Sequence, residues 1–262
     1  MDSGAAHSAR VWDYWLGGKD NYAVDRAVAE RILTVVPRQR RHVRANRAFL
    51  TRVVRHLVTE AGIRQIVDVG SGLPTQPTVH QVAHACAPDV RVLYVDNDPL
   101  VLAHSRALLP TRGPGAGARI AVVDADLRDP VGLHAALRAC PQFDPDAPTA
   151  VLLLAMLMSL TDEDEPADVL DALVAPLPTG SHVAITHTTA DLDAPGMRGY
   201  VAAAHEAGMT FTPRTRAEVE RFFDKLELLP PGVVPVSAWR PDIRPPPDPR
   251  GVSIYAGVGR KP

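Results

Sequence analysis

Apolar positions recur along this chain in two rhythms, and the change from one to the other divides it. Over residues 9 to 61 the spacing is helical, with breaks at Gly17-Gly18 and at Pro37. Val11, Trp12, Trp15 and Leu16 fall on one side of the first helix, and Ser8 is placed to cap it. On a wheel of about 100° per residue, Val43, Leu50, Val54 and Leu57 of the third helix share one face and Arg41, Arg44, Arg52 and Arg55 the opposite one. The arginine face therefore reads as solvated, with an RNA-binding surface as the alternative. Asn46 and Arg47 stand at the edges of the apolar face. A polar pair pointing inward needs partners, so it belongs either to a buried network or to the wall of a pocket.

From Gln65 onward short apolar runs take over. Strand-like runs at 65–69, 91–96, 119–124, 149–155 and 181–187 alternate with helical segments near 76–86, 98–109, 130–139 and 164–175. This alternation predicts an α/β fold, a parallel sheet with helices on both faces. After Asp191 come helices near 195–207 and 215–224 and strand-like runs at 232–236 and 252–258. The proline-rich run from Arg240 to Arg250 is too long and too rigid for a tight turn and reads as a surface connection. No repeat and no second boundary interrupts the pattern. Residues 1–262 therefore read as one domain, with a helical segment 1–61 packed on a core of residues 62–262.

Composition narrows the picture only slightly. A 46% hydrophobic content and a net charge of -2 describe a globular chain that is not globally built for nucleic acid. Cys86 and Cys140 lie far apart without metal-like spacing, which argues against a disulfide framework and against a metal site. The N-terminus lacks the apolar core of a signal peptide, and no apolar run reaches membrane-spanning length. The expectation is a soluble cytoplasmic protein with no membrane partner.

The candidate chemistry lies at the strand ends. Ile66-Val67-Asp68-Val69-Gly70-Ser71-Gly72-Leu73-Pro74-Thr75 is a β-branched run ending in an acid and a glycine turn before a helical segment, the opening of a nucleotide-binding βαβ unit. The second strand ends in Asp96-Asn97-Asp98. Asp96 is placed to accept both hydroxyls of a ribose, while Asp98 ahead of Pro99 suits a helix cap. The third strand ends in Asp124-Ala125-Asp126-Leu127. There a carboxylate and the next backbone N–H could hold an adenine edge, or the aspartate could cap the following helix. If the strand order reverses between the first and fourth strands, Ala155 to Met158 border the reactive part of a cofactor.

These motifs resemble the class I methyltransferases that use S-adenosylmethionine, in which DVGSG, VDND and DADL types of motif close successive strands. More narrowly, VWDYWLGGKDNYAVDR, RANRAFL, VDVGSGLPT, VDNDP, ADLRDP, LTDEDEP and YAGVGRKP are similar to an actinobacterial S-adenosyl methyltransferase family, long described as a domain of unknown function, over nearly the whole chain. The resemblance implies a Rossmann-like, seven-stranded, mostly parallel sheet, on which the N-terminal helical segment reads as a lid. It also implies S-adenosylmethionine as cofactor, S-adenosylhomocysteine as product, and Asp68, Gly70, Gly72 and Thr75 beneath the methionine half. Asp96 with Asn97 would hold the ribose, Asp126 with Leu127 the adenine, and Ala155 would close the site. The chain departs from the pattern at two positions. Pro74 stands where many methyltransferases have a third glycine, although the narrower family shares Pro74-Thr75. Met158 stands where the family carries a histidine after the strand-four leucine.

Methyl transfer from a sulfonium is an in-line displacement, so the chain's main tasks are alignment and exclusion of water, and a base is required only if the acceptor must lose a proton. His187, at the end of the fifth strand, is the candidate base, with a structural role as the alternative. Tyr14, Lys19, Asp20, Asn21 and Asp25 gather around the Gly17-Gly18 break and, with Asn46 and Arg47, suggest a lid over the crevice; the alternative is a capped turn with solvent-facing charges. Met158 and the group Met197, Tyr200, His205 and Phe211 could line the acceptor side or serve as core. The expected function is methyl transfer to a small molecule in specialised metabolism, with no nucleic-acid partner and with a homodimer compatible with the chain. The competing readings are a non-catalytic binder of the same cofactor, a nicotinamide oxidoreductase and a nucleic-acid methyltransferase.

Overall fold

The computed structural model describes residues 5–111, 119–242 and 251–262. Strands β1 (Gln65–Val69), β2 (Arg91–Asp96), β3 (Ile120–Asp124), β4 (Ala150–Leu154) and β5 (His182–Thr188) are parallel. β6 (Glu227–Leu228) and β7 (Val234–Pro235) both pair with the long antiparallel strand β8 (Ile254–Arg260), which lies along β5. The sheet order is β3-β2-β1-β4-β5-β8-β6, with β7 also on β8. The order reverses between β1 and β4, so a crevice opens at their carboxyl ends, where doubly wound sheets bind ligands.

The resemblance implies seven strands, and the sheet has eight. The short β6 was invisible as a pattern because two exposed residues offer no alternation to read. The expected strand at 232–236 likewise shrinks to Val234–Pro235 and gives way to a 3-10 turn over Val236–Ala238. Of the proline-rich connection, residues 243–250 lie outside the described residues.

Helices cover both faces. α3 (Gln39–Thr59) and α4 (Val79–Cys86) pack on one face, where Phe49, Leu50, Val53, Val54 and Leu57 meet Ile66, Val92 and Leu152. α6 (Pro130–Ala139), α7 (Pro166–Val174) and α9 (Arg216–Arg221) cover the other, with Leu133, Leu137, Leu170, Leu173 and Val219 against Val67, Leu93, Leu153 and Ile185. Fully burying one such side chain contributes about 1.5–3 kcal/mol. β1 and β5 are buried along their entire length, which explains their continuous apolar runs.

α1 (Ser8–Leu16), α2 (Ala23–Val35) and α8 (Ala194–Glu206) form a third cluster through Val11, Trp15, Ile32, Met197 and Tyr200. Trp15 donates to Ala29 O across the α1/α2 pair. The cap of α1 is His7 rather than Ser8: the His7 ring accepts from Ala9 N, and Ser8 is already helical. Its Nε2 lies 3.1 Å from Asp98 Oδ2, and Asp98 itself caps α5 (Pro99–Leu108), as its position ahead of Pro99 predicts. One arginine leaves the expected solvated face of α3. Arg52 donates to the carbonyls of Trp239 and Val236 and pins the segment before β8, whereas Arg41, Arg44 and Arg55 stay exposed.

Candidate active site

Pleating decides which side chains reach the crevice. On β1, Val67 and Val69 belong to the core under α6, so Asp68 emerges on the opposite side with Ile66, toward α3. Asp96 continues the same side of β2 after Val92 and Tyr94. The glycine turn follows β1 with Gly70 at φ 69° and Gly72 at φ 64°. Gly70 and Ser71 donate their backbone N–H to Val95 O, and Gly72 N–H donates to Asp96 Oδ2 at 2.9 Å. Asp98 N–H donates to Asp96 Oδ1 at 3.0 Å, so the Asp96 carboxylate is held rigid while each oxygen keeps a further lone pair. Burial pushes the Asp96 carboxyl above its ordinary range, with these two N–H groups opposing. A Cβ on Gly70 would lie 2.1 Å from Met156 Sδ, so only glycine leaves this turn open.

A cavity of about 420 Å³ begins at this turn. Many of the residues singled out from the sequence line it: Asp68, Gly70, Gly72, Thr75, Asp96, Asn97, Asp126, Leu127, Ala155 and Met156 from the sheet edge, Asn46 and Arg47 from α3, and Met158, Tyr200 and Phe211. Asn97 donates from its side chain to Asp126 Oδ2 at 2.8 Å, and Arg128 N–H donates to Asp126 Oδ1, which ties the β2 and β3 ends together. The cap of α6 is supplied by Asp129, leaving Asp126 at the cavity. Ala155 has a positive φ of 58° and donates its N–H to Thr186 O and Oγ1, so the chain turns sharply out of β4 there.

The remaining predicted residues stand elsewhere. His187 is fully buried with Val183 and Ile185 on the far side of β5, stacked on Phe222, and it does not line the cavity. Its Nδ1–H donates to Thr188 O, and its Nε2 accepts from Arg214. Burial and the neighbouring Arg214 push its pKa down to about 4. It is walled off from any acceptor in this cavity. Tyr14 donates to Glu30 beneath Arg40, and Lys19 is exposed. Asn21 donates to Asp13 Oδ2 and Gly18 O, so it builds the turn after α1 and lies away from the cavity. Met197 packs in the cluster that joins α1, α2 and α8, and His205 is exposed.

Sequence reasoning missed Asp13, Ser71 and Arg214. Asp13 lines the cavity and accepts from Asp20 N–H and Asn21 Nδ2, a role its mid-helix position hides. Arg214 is buried and donates to Leu157 O, Leu160 O, Asp162 Oδ1 and His187, holding the loop after β4 from below. Nothing near Arg214 in sequence advertises those carbonyls.

The cavity has unmet polar demand at one end. Among the described residues, Asn46 Oδ1, Arg47 Nε and Ser71 Oγ are buried without a hydrogen-bond partner, and all three residues line it. Arg47 also donates to Thr75 O and Pro77 O, which anchors its guanidinium against the turn. Burial pushes the Asp68 carboxyl up to about 7, with Arg47 opposing and Asp96 adding to the rise. Two donors (the Arg47 and Ser71 atoms) and two acceptors (the Asn46 oxygen and the Asp68 carboxyl) complement the carboxylate and ammonium of an amino acid. Asp96 and the Asn97–Asp126 pair follow along the cavity where a nucleoside would continue. The residues therefore fit S-adenosylmethionine.

A reversed-order parallel sheet, a glycine turn after β1 and acids closing β2 and β3 define a class I methyltransferase dependent on S-adenosylmethionine. Its family is that of the S-adenosyl methyltransferases, whose model matches residues 1–262, and the chain belongs to it. The crystal structure of a DUF574 family protein from Streptomyces avermitilis MA-4680 is similar at 38% identity and a TM-score of 0.91, covering 100% of this chain and 99% of that one. A structure from Thermobifida fusca YX is similar at 39% identity and a TM-score of 0.90, covering 99% and 96%. Human N-acetylserotonin methyltransferase, solved with S-adenosylmethionine, shares the fold at 13% identity and a TM-score of 0.50, covering 96% of this chain and 66% of that one. No curated protein sequence matches the chain.

Proposed function

We propose that this methyltransferase acts on a small-molecule acceptor in specialised metabolism. In this reading Asp68, Asn46, Arg47 and Ser71 hold the amino-acid end of the cofactor, Asp96 the ribose, and Asp126 with Leu127 the adenine. The observation that carries the reading is the apolar cover over the cavity. α1 and the α8 region cover the strand ends with Trp12, Leu16, Tyr200 and Phe211, which leaves a recess suited to a compact guest rather than a groove for a polymer. The mixed charge of the whole chain supports the same choice, and no phosphate-binding stripe is needed. When bound, S-adenosylmethionine supplies a methyl group already activated on a sulfonium. The chain's residues then orient the cofactor, align the acceptor and exclude water.

The test is methyl transfer from cofactor labelled in its methyl group, with panels of small phenols, carboxylates and amines run beside bulk RNA, DNA and protein. Label is expected in the small-molecule fraction. Label confined to polymer would contradict the reading, and tight cofactor binding without transfer to any panel member would favour a non-catalytic binder. Analytical ultracentrifugation of the same sample reads whether a homodimer forms.

A further inference from the structure

The far end of the cavity differs chemically from the cofactor end. Trp12, Leu16, Met158, Tyr200, Met209 and Phe211 line it. Three of these side chains are aromatic and two carry polarisable thioethers, a wall that gains most from an aromatic guest. Tyr200 is stacked on Phe211 with ring centroids 4.0 Å apart, so its ring is fixed from one side. Tyr200 is only 4% exposed and lines the cavity, and burial without a hydrogen bond pushes its hydroxyl up. Unlike Asn46 Oδ1, Arg47 Nε and Ser71 Oγ, the hydroxyl oxygen is not sealed off, so it stays open to a partner. Here the cavity is the place from which one can come.

Proton-accepting side chains are few at this end among the described residues. His187 faces away from the cavity. Asp13, on the same helix as Trp12, lines the cavity, and its Oδ2 accepts from Asp20 N–H and Asn21 Nδ2. Where the resemblance leads one to expect a histidine, Met158 is buried and its sulfur accepts from Thr188 Oγ1 at 3.4 Å. A protonated amine at this end would need the Asp13 carboxylate both to offset its desolvation and to free its lone pair. An acidic hydroxyl on an aromatic ring needs neither.

Resting on the small-molecule reading above, we propose that the acceptor is a planar aromatic compound bearing an acidic hydroxyl, oriented by the Tyr200 O–H donating to that oxygen. The acceptor's proton leaves to solvent before transfer. The oxygen then forms its bond to the methyl carbon as the carbon–sulfur bond breaks, and the electron pair stays on sulfur. The products are the aryl methyl ether and the neutral thioether of S-adenosylhomocysteine.

The experiment titrates the full chain calorimetrically, first with S-adenosylhomocysteine and then with 2-naphthol, naphthalene or protonated 2-naphthylmethylamine. 2-Naphthol is expected to bind roughly tenfold more tightly than naphthalene, the worth of one buried hydrogen bond. Tyr200→Phe should erase that difference while leaving the affinities for S-adenosylhomocysteine and for naphthalene intact, which also shows that the variant folds. With S-adenosylmethionine, methylation of 2-naphthol should rise with pH along the acceptor's own ionisation. The proposal is overturned if Tyr200→Phe binds both naphthyl compounds as the parent does, if the amine is preferred, or if the pH profile follows a protein group instead. Failure of the first titration is a separate outcome: it removes the cofactor assignment and the acceptor inference with it.

Discussion

At the scale of single residues, Asp68 is the most sensitive reporter of the site. Burial holds its carboxyl protonated to about pH 7, whereas in an unfolded chain it ionises near the ordinary aspartate value of 3.8. Between those two values the native state carries the extra proton, so Asp68 lowers stability as pH rises through that window, and this loss is complete above about 7. Cofactor binding has the opposite sign, because an ammonium beside Asp68 favours the ionised form. Affinity for S-adenosylhomocysteine, measured by calorimetry, should therefore rise with pH and level off above about 7, and Asp68→Asn should flatten the profile. A pH-independent affinity in the parent protein would contradict this. Gly70→Ala makes a second residue-level prediction. Its Cβ displaces Met156 into the cavity and strains a φ of 69°, so cofactor affinity should fall at least roughly tenfold. Asp68, Gly70 and Asp96 were legible because each closes a strand-like run. Ser71 was not, since its significance lies in a missing partner. His187 was misread because only the strand end was considered. It shares the parity of Val183 and Ile185, and that pleat sends it into the core beneath α9.

The element scale concerns how separate pieces are tied over the crevice. The α1–α2 pair is locked by Arg10 Nε, 2.7 Å from Asp25 Oδ2, with both side chains nearly or fully buried, and Asp25 also accepts from His7 N–H and Tyr22 N–H. Arg10→Met would leave a buried carboxylate facing only neutral donors and should cost about 3–5 kcal/mol in a urea melt. A change within error would show that the pair is dispensable. Below the sheet, Arg214 holds the turn between β4 and α7 through Leu157 O and Leu160 O. Arg214→Met should destabilise by about 2–3 kcal/mol, with a larger proportional loss of methyl transfer than of cofactor binding, because Met158 sits on the released turn. The helices themselves were readable from their periodicity, including the break at Gly17-Gly18. Their contacts were not: Tyr14, Lys19 and Asn21 look like a polar lid edge in sequence, yet Asn21 serves the turn that Asp13 organises. The wall facing the crevice comes from His7, Ala9, Trp12 and Leu16.

For the whole molecule, the alternation of strands and helices gave the parallel sheet, because buried parallel strands leave long apolar runs with punctuated ends, whereas its reversal between β1 and β4 comes from the pairing. The antiparallel β6–β8–β7 edge was only partly legible, as two-residue strands depend on their partner rather than on their own pattern. No helix among the described residues is long and apolar enough to cross a membrane. What the assembled molecule adds is convergence. Residues separated by more than a hundred positions, from His7 to Phe211, close one cavity whose ends differ in polarity. The polar end suits the cofactor, and the aromatic end leaves room for an acceptor. The central claim is that this cavity seats S-adenosylmethionine in that orientation, and a crystal structure with S-adenosylhomocysteine bound tests it most directly. Both ribose hydroxyls are expected within about 3 Å of the Asp96 carboxylate, the amino-acid end against Asn46, Arg47 and Ser71, and the sulfur directed toward Met158 and Tyr200. A nucleoside bound away from Asp96, or a sulfur facing away from Tyr200, would contradict it.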